Sequence, residues 1–132
     1  ILSECFNTGS TVFTQRACIT ALKEGEDHVR QLKDQYHAGR QMLIEKLGNH
    51  PAIDLCVPDG AFYAFPRIRG IKSSRRFAEM LLDKEDVGVA PGYTFGESNE
   101  EYIRICFALN PDRLAEGLDR IVRFLDDNHN DL

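Results

Sequence analysis

The segment from Tyr102 to Leu109 places the tightest limit on how this chain can fold. Ile103, Ile105, Phe107 and Leu109 alternate with Tyr102, Arg104, Cys106 and Ala108, which is the two-residue period of a strand with one apolar face. The other face carries a guanidinium among aromatic and small neighbours. That setting holds Arg104 at least half out of water, where a cation needs an anionic partner. Arginine offers a planar fork of donors that fits a carboxylate bidentately. Two partners meet the need: an internal Asp or Glu forming a structural ion pair, or the carboxylate of a bound ligand. The alternation alone does not choose between them. Just upstream, Gly88-Val89-Ala90-Pro91-Gly92-Tyr93-Thr94-Phe95-Gly96 reads as a strand end running into a Gly/Pro loop. Loops of this composition let backbone approach a ligand closely. An aromatic there either walls a pocket or covers the core.

The remaining elements follow from changes of hydrophobic period. A helix is expected from about Thr11 to Glu24, with Ser10 or Thr11 as cap and Gly25 as stop. A longer helix follows from about Asp27 to Leu47. Its stripe runs through Val29, Leu32, Tyr36, Leu43 and Leu47, with Gly39 and Arg40 in the gap. Gly48-Asn49-His50-Pro51 ends it. Ile53 to Val57 and Ala61 to Phe65 read as strands on either side of a Pro58-Asp59-Gly60 turn. Ser73 or Ser74 caps a third helix carrying Phe77, Met80 and Leu81. Val87 to Ala90 is a short strand, and Glu97-Ser98-Asn99 belongs to a loop. Asn110, with Pro111 at the first helical position, starts a last helix with Leu114, Leu118, Ile121, Val122 and Leu125 on one face. This order predicts an α+β fold: a small, mostly antiparallel sheet with helices packed on one face, preceded by a long connecting helix. The expected organisation is residues 1–25 as the tail of a preceding large domain, 26–48 as an interdomain helix, and 49–132 as a C-terminal small domain.

At 132 residues the chain can bury a core, and its net charge of -5 without a Lys/Arg block argues against nucleic acid or an anionic membrane as partner. No apolar run reaches the length of a membrane span. Cys5, Cys18, Cys56 and Cys106 form no CxxC pair, and their neighbours are mainly apolar or small. They are expected to be buried free thiols in a reducing, cytoplasmic compartment rather than disulfides or metal ligands. His28, His37, His50 and His129 lack ligand spacing and are expected on the surface or at helix flanks.

Four stretches, in order, resemble the C-terminal domain of the class I/II aminotransferases, the pyridoxal-phosphate enzymes of the aspartate aminotransferase fold (fold type I). Thr11-Val12-Phe13-Thr14-Gln15 is similar to that family's NSFAQ-type helix start. Gly60-Ala61-Phe62-Tyr63 is similar to its GAFY strand. Val89-Ala90-Pro91-Gly92 with Phe95-Gly96 is similar to its V-x-PG-x-x-FG loop. Tyr102-Ile103-Arg104-Ile105-Cys106-Phe107-Ala108 is similar to its hhRhSFA strand, with Cys106 where Ser is common.

The resemblance implies that Arg104 grips the α-carboxylate of an amino acid substrate, and that Phe95 and the GAFY strand serve as pocket wall or core support. It implies a parent enzyme that uses pyridoxal 5'-phosphate to exchange an amino group between an α-amino acid and a 2-oxo acid, as a homodimer. Phe6-Asn7-Thr8 aligns loosely with a segment that in this family approaches the partner subunit's active site. The family's Schiff-base lysine lies upstream of the segment matched here, and none of Lys23, Lys33, Lys46, Lys72 and Lys84 is assigned that role. No catalytic, cofactor-binding or metal-ligating residue is expected in the chain, which is expected to be inactive alone. A lyase or synthase of the same fold, and a stand-alone amino-acid-binding module anchored by Arg104, are the alternatives. A structural domain that dimerises through the long helix is a further one.

Overall fold

Where the hydrophobic period changes, the element type changes with it. In a computed structural model the described residues are 9–128; Cys5, Phe6-Asn7-Thr8 and His129 lie outside them. The chain forms two compact units, one ending at Asp34 and the other beginning at Gln35.

The described part of the first unit is helical. Helix α1 spans Val12–Glu24 and has no buried residue. Gly25 interrupts it for a single residue, its N–H donating to the Ala21 carbonyl at 3.0 Å. Helix α2 then runs Glu26–Leu47 across the division between the units. The expected apolar stripe holds only in the second half of α2, where Leu43 and Leu47 are fully buried while Val29 is exposed.

The second unit is built around one continuous core. Strand β1 (Ile53–Asp54) pairs antiparallel with β3 (Arg67–Ile68). Strands β2 (Tyr63–Ala64) and β4 (Ala90–Pro91) flank β5 (Ile103–Cys106), both antiparallel to it. Helix α3 spans Ser74–Glu85 and α4 spans Pro111–Asp127. Leu43 and Leu47 of α2, Phe77 and Leu81 of α3, and Leu114, Leu118, Ile121 and Phe124 of α4 pack with Ala64, Ile103, Ile105 and Phe107. Phe77 and Phe124 meet edge to face, their ring centroids 5.4 Å apart. Helices on one face of a small antiparallel sheet are the α+β arrangement expected from the order of elements.

Local chemistry explains the element ends. Ser73 caps α3 by accepting from the Arg76 N–H, and Asn110 caps α4 by accepting from the Asp112 and Arg113 N–H groups, with Pro111 in the first turn. At the far end of α3, Glu85 accepts from Arg123 of α4, a contact that holds its carboxyl below the usual range and raises the Arg123 guanidinium. Gly39 lets α2 approach the end of β5: a Cβ there would lie 2.6 Å from the Phe107 carbonyl oxygen.

Several expectations are corrected. The strands are shorter than the apolar runs suggest. Ala61 adopts a left-handed conformation (φ 59) that delays β2 until Tyr63. A further strand, β3, was not foreseen; it pairs with β1, while β2 pairs with β5. The chain leaves β5 after Cys106, so Leu109 is exposed instead of sharing the covered face. The loop through Glu97-Ser98-Asn99 is a 3-10 turn. The described cysteines are free, as expected, but not buried. Cys18 sits on α1, which buries nothing, and Cys56 follows the end of β1, so both are exposed; Cys106 lies half-buried on the open face of the sheet.

Candidate functional site: the open face of the central strand

Strand β5 divides its side chains as its period requires. Ile103 and Ile105 are buried, while Tyr102, Arg104 and Cys106 are half-exposed on the other side. The register sets Ala90 of β4 opposite Arg104 and Tyr63 of β2 opposite Cys106. Tyr63 is thus the diagonal neighbour of Arg104, a separation that long and aromatic side chains span. Its ring centroid lies 4.5 Å from the Arg104 guanidinium carbon. The ring of Phe95, carried by the Gly92–Phe95 turn, approaches the same carbon to 4.5 Å. The aromatic lining continues past these two. Phe95 meets Phe65 edge to face at 5.6 Å, and Phe65 stacks on Tyr102 at 5.2 Å. On the other side Phe62 lies 4.4 Å from Tyr63 and 5.8 Å from Tyr36.

Cation–π contact satisfies the charge of a guanidinium without consuming its N–H donors. Among the described residues no carboxylate lies within ion-pair distance of Arg104. The nearby acids are committed elsewhere. Glu101 accepts from Arg67 Nη2 at 2.8 Å, Asp54 from Arg69, and Glu100 from Ser74. The Arg69 contact holds the Asp54 carboxyl below the usual range. What remains at Arg104 is a flat cation against aromatic rings, with donors available to a planar anion.

The turn bearing Phe95 is tightly tied. The Gly92 N–H donates to the Tyr102 carbonyl at 2.8 Å. A Cβ at Gly92 would lie 2.1 Å from the Asn99 carbonyl oxygen and 2.5 Å from that of Tyr102, so only glycine fits. Asn99 Nδ2 donates to the Phe95 carbonyl at 3.1 Å.

Sequence reasoning singled out Arg104 and left Phe95 and the GAFY strand between pocket wall and core support. The structure sets both Tyr63 and Phe95 against the guanidinium, and neither is in the core. The cross-strand diagonal was the available signal for Tyr63. For Phe95 the Gly/Pro loop and the family resemblance were the signal, but its approach to Arg104 depends on how the turn folds back. The described lysines stand apart from this constellation in kind. Lys46 pairs with Asp119, Lys84 with Asn128, and Lys23, Lys33 and Lys72 are exposed.

Residues 2–121 match the family described as Aminotransferase class I and II. The chain is 40% identical over 117 residues to an aspartate aminotransferase of Pyrococcus horikoshii, covering 86% of this chain and 30% of that protein. It is 43% identical over 112 residues to the putative aminotransferase YugH of Bacillus subtilis, covering 84% of this chain and 29% of the other. The crystal structure of an aromatic aminotransferase from Pyrococcus horikoshii superposes with a TM-score of 0.80 at 34% identity, over 89% of this chain and 32% of that one. The chain thus spans about 30% of the length of the relatives it matches. With a family match over nearly its whole length and the fold of that family's C-terminal domain, the chain belongs to the class I and II aminotransferases.

Proposed function

We propose that this domain binds the α-carboxylate of the substrates of a pyridoxal-phosphate-dependent aminotransferase, with Arg104 as the gripping residue. One observation carries the reading. Arg104 lies on the open face of the sheet against Tyr63 and Phe95, and no carboxylate of the described residues is paired with it. A structural ion pair was the competing explanation for a half-buried arginine. The described acids around it are engaged with other partners, which favours an external anion. The substrates are an α-amino acid and a 2-oxo acid, which share the carboxylate that Arg104 would hold. A bidentate grip fixes the carboxylate, so that with the amino nitrogen also held, rotation about the Cα–N bond is limited and with it which α-bond can be presented for reaction.

Transfer of the amino group itself belongs to the cofactor chemistry. Lys46 and Lys84 are paired on helix surfaces, Lys23, Lys33 and Lys72 are exposed, and none is assigned the role of the Schiff-base lysine. The chain's own share is therefore grip and orientation, and by itself it is inactive. The division expected from the sequence stands as part of the same proposal: residues 1–25 belong to a large domain, 26–48 form the interdomain helix and 49–132 the small domain. The complete enzyme is a cytoplasmic homodimer.

The test is to replace Arg104 in the full native polypeptide, loaded with pyridoxal phosphate. Arg104→Lys keeps the charge and removes the fork, so kcat/KM for α-amino acids and 2-oxo acids should fall by about 10- to 100-fold. A primary amine with the same side chain but no carboxylate should react as before. Equal losses for both substrates, or none for either, would overturn the assignment.

A further inference from the structure

Ser74 is fully buried at the first position of α3, on the same face as Phe77 and Leu81, yet it is polar and is not the cap of that helix. Its hydroxyl and its backbone N–H both reach Glu100 Oε2, each at 3.0 Å. An ionised carboxylate only accepts, so the Ser74 hydroxyl proton points to Glu100. The lone pairs on Oγ are thereby free, and the Tyr93 N–H donates to that oxygen at 3.1 Å. One hydroxyl thus joins the start of α3, the Gly92–Phe95 turn and the residue four positions before Arg104. The Gly92 N–H donates to the Tyr102 carbonyl beside β5, continuing the β4–β5 pairing, and Asn99 donates to the Phe95 carbonyl. Neither bond reaches an α-helix. Tyr93 to Ser74 is the bond that ties the turn to a helix, and Tyr93 lies two residues before Phe95.

We infer that Ser74 and Glu100 act as a positioning pair that holds Phe95 against the Arg104 guanidinium. The pair sets the orientation of the fork and the affinity of the site for a carboxylate. The affinity part of this inference rests on the reading of Arg104 as the carboxylate grip; the placement of Phe95 does not.

The experiment has two readouts. The first is the Arg104 side-chain NMR resonance in the arginine-labelled 132-residue chain, which senses the ring currents of Tyr63 and Phe95. Phe95→Leu provides the reference for a guanidinium without that ring. Ser74→Ala and Glu100→Leu should each move the Arg104 resonance toward the Phe95→Leu position, with core methyl resonances of Leu118 and Ile121 unchanged. Glu100→Leu removes the oxygen that accepts both Ser74 bonds, so it carries the test if Ser74→Ala does not fold. An Arg104 resonance that stays at its wild-type position in a folded variant overturns the proposal.

The second readout is kinetic, in the full native polypeptide. Ser74→Ala should raise KM for α-carboxylate substrates by roughly 3- to 10-fold, the range expected for one lost hydrogen bond. It should have no further effect in a Phe95→Leu background, because both changes act through the same ring. Additive effects of the two substitutions would overturn the coupling. If Arg104→Lys leaves the kinetics unaltered, the carboxylate reading fails, and the positioning inference is then decided by the resonance alone.

Discussion

The two faces of β5 belong to the same backbone and obey opposite rules. On one face Ile103, Ile105 and Phe107 are buried among α2, α3 and α4, and each of those helices depends on them. On the other, Tyr102 stacks on Phe65, Arg104 lies against Tyr63 and Phe95, and Cys106 is half-exposed. Close packing makes the covered face intolerant of any change in volume. The open face is held in place by turns and cation–π contacts, which contribute little to the global fold. The contrast shows how a small domain separates stability from recognition: alternation along one strand lets a residue be exact in position without being needed for folding.

Substitutions on each face test that separation. The largest effect is expected from Phe107→Ala, which removes a fully buried ring from the junction of α2 and β5 and should cost about 3–5 kcal/mol. Denaturant unfolding followed by far-UV circular dichroism measures it. Gly39→Ala should come next. The added methyl would meet the Phe107 carbonyl, forcing α2 away from the strand end at a net cost of about 1–3 kcal/mol. That loss must exceed the ~1 kcal/mol helix-propensity gain of alanine over glycine, so a stabilised variant would show that the approach is looser than described. The smallest change in stability is expected at Arg104→Met. A thioether can replace the cation against Tyr63 and Phe95, so the shift should be about 1 kcal/mol or less in the same unfolding assay. A loss there as large as at Phe107 would erase the distinction between the faces and mark Arg104 as a structural residue.

Much of this architecture was legible from local patterns. Asn110-Pro111 announced α4, Ser73-Ser74 announced α3, and the alternation from Tyr102 marked β5 and its charged face, because caps and periods are set by neighbouring residues. The misreadings share one cause. Val87 to Ala90 and Ile53 to Val57 look like strands over their whole apolar runs, but pairing extends only as far as a partner does. Ile68 pairs with Ile53 across a gap that no local pattern spans. The cysteines were assigned to the interior from their neighbours in sequence, yet Cys56 lies past the end of β1 and Cys18 on a helix that buries nothing. At the candidate site Arg104 was visible as a charge out of place. Tyr63 and Phe95 were visible as aromatics without an address, and the Ser74–Glu100 pair was not visible at all. Its members are far apart in sequence, and each looks like an ordinary surface residue.

By itself the sequence determined the order of the helices and of the strands other than β3, the apolar face of the central strand and the single cation on its reverse. These follow from side-chain period, capping chemistry and the cost of an unpaired charge, all of which act over a few residues. Only the tertiary structure decided which strands pair, which rings approach Arg104 and what holds the Phe95 turn in place. Those outcomes depend on long-range closure, where the turn at Gly92 and the helix start at Ser74 come within hydrogen-bond reach only after the core has packed.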